Sequence, residues 1–479
     1  VAVTADSPTD AQLEHENSWR VVWALAWPAV ALNSLQVVNT LLDRFFLGHL
    51  ETAALTAHGG ATNVMFLMFS LAVAVATGAT ALVSRAYGAG KRLEYRRASR
   101  QSLAVALFAG LASAAITLLG SHVMASFVLP AKDVQAVRLM ADFVVAYSLG
   151  LPAIYIVQAL AGSLRGIGDT RSPMVISGIQ ILIHIALNCV LIFPTRSLGG
   201  IVVPGAGLGL VGAAIALAAS AWIAAIIYVF YAGKTPLGFL LRFRLPEREW
   251  VVRILRIAVP AATMSVLRVL SLTAFTLALG LIPRGSEAIA AMSIGFAIES
   301  IMFMPAFGLS VAASALVGQS LGMKRPERAE RLGWSAAHLG ALVTVALALP
   351  VFFLADDIAA IMLKDKPAVV EEASTLLRYL CATEILFGYA MVLIGAMQGA
   401  GDTVRPMWIS IFALWGMRVP LAFVMALSTG TPLIGSLTLP FGFGMGATGA
   451  WLAMALTQGV QGVMSIIAFK QGAWKTKKV

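Results

Sequence analysis

The chain has 479 residues, of which 59% are apolar and only 12% charged, and its formal net charge is +11. A soluble protein of this length needs far more surface charge, and long unbroken apolar runs exclude a β-barrel, whose strands alternate. The basic balance then points to loop charge at a membrane face rather than to nucleic acid. Cys189 and Cys381 both sit inside apolar runs, so neither a disulfide framework nor a metal site is indicated.

In chain order, the polar start from Val1 to Asn17 lacks the short basic-then-apolar form of a cleaved signal. It reads as a cytoplasmic tail, residues 1–19. Apolar runs of about 20 residues each can cross a bilayer, and twelve follow. In the first half they are expected at 20–46, 56–84, 98–120, 136–162, 172–193 and 207–232. After a linker at 233–250 come 251–282, 288–318, 332–354, 370–397, 406–428 and 446–469. The predicted units are therefore a first lobe over 20–232, a second over 251–470 and a basic tail at 471–479. The fold class is an all-α polytopic membrane protein.

Span one carries Asn33, Gln36, Asn39, Thr40 and Asp43 at spacings of three and four, hence on one side of a helix. Span five carries Ser177, Gln180, His184 and Asn188 in the same manner. Polar stripes are costly against lipid, so each should face protein or a water-filled cavity. The two are expected to face one another around a cation site. Pro28, on the same helix as Asp43, and Pro260 in span seven each remove a helix hydrogen bond and favour bending. In the second half, Arg268, Glu299, Glu384 and Arg418 lie in apolar surroundings. Two acids and two bases permit mutual neutralisation as ties between helices; alternatively Glu299 or Glu384 contacts a cationic ligand or carries a second proton.

Basic residues sort by loop. Arg85, Lys91, Arg92, Arg96, Arg97 and Arg100 follow span two; Lys324, Arg325, Arg328 and Arg331 follow span eight. Lys234, Arg242, Arg244, Arg248, Arg253 and Arg256 fill the linker, and Lys470, Lys475, Lys477 and Lys478 lie near the end. Acidic residues such as Glu51, Glu287, Asp356, Asp357 and Asp365 take the alternate loops. Positive charge marks the cytoplasmic side, so both ends are expected there, in a plasma (inner) membrane.

The stretch GSLRGIGDTRSPMVIS (162–177) returns as GAMQGAGDTVRPMWIS (395–410). Gly166/Gly399, Gly168/Gly401, Asp169/Asp402, Thr170/Thr403 and Pro173/Pro406 agree at a constant offset of 233. A repeat of this period marks duplicated domains rather than a solenoid. With six spans each, the halves are expected as parallel repeats about an axis along the membrane normal, an arrangement common in transporters. The aspartates are expected to cap the helices that follow them, with each proline near the first turn.

These motifs, with LLDRFFLGHLETAAL (41–55), GLVGAAIALA (209–218) and IESIMFMPAFGLSVAASALVGQSLG (298–322), resemble the multidrug and toxic compound extrusion family over nearly the whole chain. The second half is most similar to its DinF-like branch. The resemblance implies two pseudo-symmetric six-helix lobes around a V-shaped cavity, and cation-driven efflux by alternating access. It also implies that Asp43, followed by Phe45, Phe46 and Gly48, is the principal coupling acid. Span five departs from the family: His184 and Asn188 stand where Asn and Asp are often found, and Leu217 replaces a frequent threonine. A weaker oxygen cage disfavours a hard cation, whereas an imidazole suits proton exchange. The expectation is proton antiport through Asp43 with His184, exporting amphipathic, cationic organic compounds. Sodium coupling and a lipid-linked precursor flippase are the alternatives. The other role open to Asp43 is an interfacial pair with Arg44, and the other role open to His184 is packing. No cofactor, metal or nucleic acid enters this reading, and there is no GxxxxGK[ST] segment for ATP. The partners are small molecules and membrane lipids, the protein is expected as a monomer, and no enzyme site is read.

Overall fold

A computed structural model describes residues 17–130, 133–198, 201–238, 245–362, 366–434 and 437–477. Tail residues 1–16, the loop residues Arg242, Arg244 and Asp365, and Lys478 lie outside the described residues. Where no water can satisfy the backbone, helices are the economical solution, and helices account for nearly all of the described chain. The first half comprises α1 (Ser18–Leu47), α2 (Thr52–Gly88), α3 (Arg92–Val128), α4 (Val134–Ser148), α5 (Leu151–Gly166), α6 (Arg171–Leu191) and α7 (Gly209–Gly233). The second comprises α8 (Arg248–Gly280), α9 (Gly285–Gly322), α10 (Pro326–Phe353), the short α11 (Ala355–Met362), α12 (Pro367–Gly399), α13 (Val404–Ile411), α14 (Val419–Ala426) and α15 (Gly446–Lys470).

Among the described residues, eleven helical segments are long and apolar enough to cross a membrane, and the bent pair α4–α5 makes a twelfth. All twelve coincide with the predicted spans. The 136–162 span is broken by 50°, which the sequence pattern did not predict. Gly150 lies at the break, where an added Cβ would sit 2.8 Å from Ala218 Cα, and Pro152 follows in the first turn of α5. By contrast, α1 and α8 run as single helices through Pro28 and Pro260. The expected 406–428 span contains a wider π segment, Phe412–Arg418, joining α13 to α14. Two antiparallel hairpins, β1 (Pro194–Leu198) with β2 (Ile201–Ala206) and β3 (Pro432–Ile434) with β4 (Leu437–Thr438), occupy loops after the fifth span of each half. Both were expected only as connections.

The repeated turn is built alike in both halves. Gly168 and Gly401 take φ of +89° and +82°, a region that a Cβ disfavours. The aspartates then diverge. Asp169 Oδ1 accepts a 3.0 Å bond from the Ser172 backbone N–H, as a capping residue should. Asp402 does not cap, a correction to the expectation above. Arg405 stands where the first half has Ser172, and its Nη1 lies 3.0 Å from Asp402 Oδ2.

The core is divided between the halves with one exchange. Trp250, Ile254 and Ile257 at the start of α8 are buried with the first half's Leu82, Tyr147, Leu160 and Tyr228. Reciprocally, Val22 and Ala26 at the start of α1 are buried with the second half's Leu309, Leu332 and Met397. Each lobe's first helix thus packs its near end on the other lobe, α1 against α9 and α8 against α2, while α2 and α9 cross at the centre.

Candidate functional site

The polar stripe of α1 meets that of α6. Asn39 and Asp43 are one helical turn apart, and Asn39 Nδ2 donates to Asp43 Oδ2 at 3.3 Å. From α6, Asn188 Nδ2 donates to Asp43 Oδ1 at 2.9 Å. His184, also on α6, contacts Asn39 Oδ1 through Nδ1 at 3.3 Å, and the same nitrogen lies 3.8 Å from Asp43 Oδ1. His184 and Asn188 are buried, whereas the Asp43 side chain keeps 24% of its surface open. That exposure decides its character: the carboxylate is neither sealed in the core nor out on the lipid-facing surface. Among the described residues no ion pair joins it to Arg44.

The open side of Asp43 faces a cavity of about 830 Å³. Gln36, Asn39, Thr40, Ser177, Gln180 and His184 line it, as the two stripes require. A small pocket of about 20 Å³ continues below Asp43 between His184 and Asn188. Asn33 lies outside the cavity wall, buried, its Nδ2 without a partner. Ser177 Oγ is 3.1 Å from the Tyr228 hydroxyl, which donates to the Pro173 carbonyl at 3.1 Å. That chain fixes the start of α6 against α7. Leu217, on α7, lines both spaces, so the site presents a methyl surface at that place and no hydroxyl.

Sequence reasoning missed one wall. His58, Thr62, Met65, Phe66 and Phe69 of α2 line the cavity, as do Arg44 and Gln158. The signal was present: 58, 62, 65 and 69 fall at helical spacing. Methionines such as Met65 are open in the sequence to a cavity-wall or a packing role, whereas aromatics on an apolar helix look like ordinary packing.

The second half's ionisable residues form a separate group away from this cavity, with Glu299 and Glu384 buried and Arg268 and Arg418 half-buried. Glu299 Oε1 accepts from Gln458 Nε2 at 2.9 Å, and Gln458 Oε1 accepts from Thr383 at 3.1 Å. Arg418 Nε donates to Thr457 Oγ1 at 3.0 Å. Arg268 and Arg418 both interact electrostatically with Glu299, although among the described residues no direct ion pair joins these groups. Glu384 is fully buried, and neither carboxyl oxygen has a hydrogen-bond partner.

Comparison with known proteins agrees with this architecture. A family model described as MatE matches residues 28–190 and 260–424, once in each half. The probable multidrug resistance protein NorM of Thermotoga maritima is 29% identical over 460 residues, covering 95% of this chain and 93% of that protein. The probable multidrug resistance protein YoeA of Bacillus subtilis is 26% identical over 484 residues, covering 99% and 98%. Two solved structures share the fold with TM-scores of 0.85 over 99% of this chain and 100% of their own. One is a MOP superfamily transporter from Pyrococcus furiosus at 19% identity. The other is an outward-facing MATE family multidrug resistance transporter at 20% identity. With its family model matched in both halves, the chain belongs to the MatE family of membrane transporters and is a transporter rather than an enzyme.

Proposed function

We propose that the protein is a secondary active exporter of amphipathic, cationic organic compounds, driven by proton antiport through Asp43. The observation that carries this reading is the placement of that carboxylate. It is held by Asn39 and Asn188 from two helices, and it opens on the cavity. Bonds to a charged acceptor are roughly twice as strong as neutral ones. Protonation of Asp43 removes that charge, weakens both amide contacts and loosens α1 from α6. Release of the proton restores them. One site thereby biases two arrangements of the helix that bears Pro28. His184 Nδ1, at 3.8 Å, is the nearest group through which the proton can pass. The relatives named above as multidrug resistance proteins support the substrate class. A membrane potential of about 100 mV supplies roughly 2.3 kcal/mol per proton.

In this reading the working units are lobes over 20–232 and 251–470 joined by a linker at 233–250, functioning as a monomer in the inner membrane. Both ends face the cytoplasm, where the basic loops favour them. The test is efflux of fluorescent organic cations from proteoliposomes, with proton and sodium gradients imposed separately. Efflux with the proton gradient alone is the expected result. Efflux that needs sodium at fixed pH overturns the proton assignment.

A second reading, translocation of a lipid-linked precursor, is favoured by one observation. Arg44 lines the same cavity, and among the described residues no carboxylate pairs with it. A guanidinium there suits a phosphate. Flipping of a fluorescent phosphate-bearing lipid in the same vesicles, lost in Arg44→Gln, would select this reading over the first.

A further inference from the structure

At the end of the molecule opposite the cavity, the central helices α2 and α9 cross with a symmetry that extends to single atoms. Arg85 and Gln319 hold equivalent places, because Ala81-Leu82-Val83 aligns with Ala315-Leu316-Val317. Gln319 Nε2 donates to the Gly166 carbonyl at 2.9 Å, reaching from the second half into the repeated turn of the first. Arg85 Nη2 donates to the Ala400 carbonyl at 3.0 Å, reaching from the first half into the repeated turn of the second. The backbones are in contact beneath these bonds. An added Cβ on Gly88 would meet the Gln319 carbonyl oxygen at 2.0 Å, and one on Gly322 would meet the Arg85 carbonyl oxygen at 2.2 Å.

The end of the described chain completes the arrangement. Trp474 is fully buried and stacks on Phe469 with ring centroids 4.6 Å apart. Lys475 Nζ pairs with Glu330 at 2.6 Å. This segment, expected as a basic tail, is folded onto the second half as a short 3-10 turn (Ala473–Thr476). It presents the Lys477 carbonyl to Arg85 Nη1 at 2.7 Å. Arg85 therefore binds two carbonyls of the other half at once.

We propose that Arg85 and Gln319 are reciprocal latch residues that hold the basic-loop face shut in the conformation seen here and release when the transporter opens to that face. Each side chain is anchored on one lobe and bonded to the turn of the other, so the lobes cannot part at this end while both bonds stand. Fixed backbone carbonyls as acceptors make the latch a matter of position alone, independent of any transported ion. It acts at the far end of α2 from His58 and the cavity, which is where closure must occur when the cavity is open on the opposite face.

The inference rests on the alternating-access reading for its consequence, but its test does not. Spin labels are placed at Leu93→Cys and Glu327→Cys, exposed and equivalent positions just past the latch, in the full chain carrying Cys189→Ser and Cys381→Ser. Distances are then read on purified protein without substrate or gradient, so a failed efflux assay leaves the result interpretable. The parent should show one short-distance population, and Arg85→Ala with Gln319→Ala should shift it to longer distances. An unchanged distribution in a double variant that keeps its melting temperature overturns the latch. If that variant does not fold, Gln319→Leu alone decides. It removes the bond to the Gly166 carbonyl and leaves Arg85 in place. A shift to longer distances is expected, and its absence overturns the proposal.

Discussion

Asp43 is a carboxylate with two amide donors and one open side, and each feature has a measurable consequence. Asp43→Asn should reduce gradient-driven efflux to the level of protein-free vesicles while the protein still folds, because the asparagine keeps the shape and loses the titration. Asn188→Ala removes one bond to a charged acceptor, a contribution of about 1.5–3 kcal/mol. The half-maximal driving proton concentration should then fall roughly tenfold or more, by the same figure, because protonation of Asp43 no longer forfeits that bond. Both residues were legible in the sequence, since spacing on one helix face is a local property. Their joining was expected but could not be demonstrated, because no local pattern states the distance between spans one and five. The second half's acids offer a contrast. Glu299 anchors Gln458, so Glu299→Ala leaves that buried amide donor unpaired and should cost about 1–3 kcal/mol in a denaturation assay. Glu384 has no partner to lose, and Glu384→Gln should leave efflux unchanged.

At the scale of elements, apolar run length predicted all twelve spans, because the bilayer imposes one length on every crossing. The break between α4 and α5 escaped that logic. It is set by Gly150 pressed against Ala218 of α7, a tertiary contact, and the Pro152 signal alone fits an unbroken helix start equally well. The prolines of α1 and α8 carry the converse lesson: a residue that breaks helices in water is tolerated where neighbouring helices hold the backbone. On the proposed mechanism Pro28 gives α1 a place to flex when Asp43 changes charge. Restoring the backbone donor with Pro28→Ala should make label distances across α1 insensitive to pH, where the parent's vary. The repeated turn shows how one substitution redirects a motif: Ser172 accepts the capping geometry of Asp169, whereas Arg405 draws Asp402 into an ion pair.

For the whole molecule, the distribution of lysine and arginine predicts that Lys470→Cys, in a chain freed of its two native cysteines, reacts with an impermeant thiol reagent only from the cytoplasmic side. Labelling of intact cells from outside would reverse the orientation. Composition, run length and the 233-residue repeat determined by themselves that this is a duplicated helical membrane protein, because a bilayer leaves few choices to an apolar chain and a duplication is written directly in residue identities. Tertiary structure alone decided that α1 and α8 exchange their near ends between lobes, that Asp43 is open on one side only, and that Arg85 and Gln319 reach across to opposite turns. Those outcomes depend on which helix faces meet and at what separation. Hydrophobic burial is non-directional and sets only that the faces must be covered; close backbone approach and the placement of a few hydrogen-bond donors select the arrangement that is built.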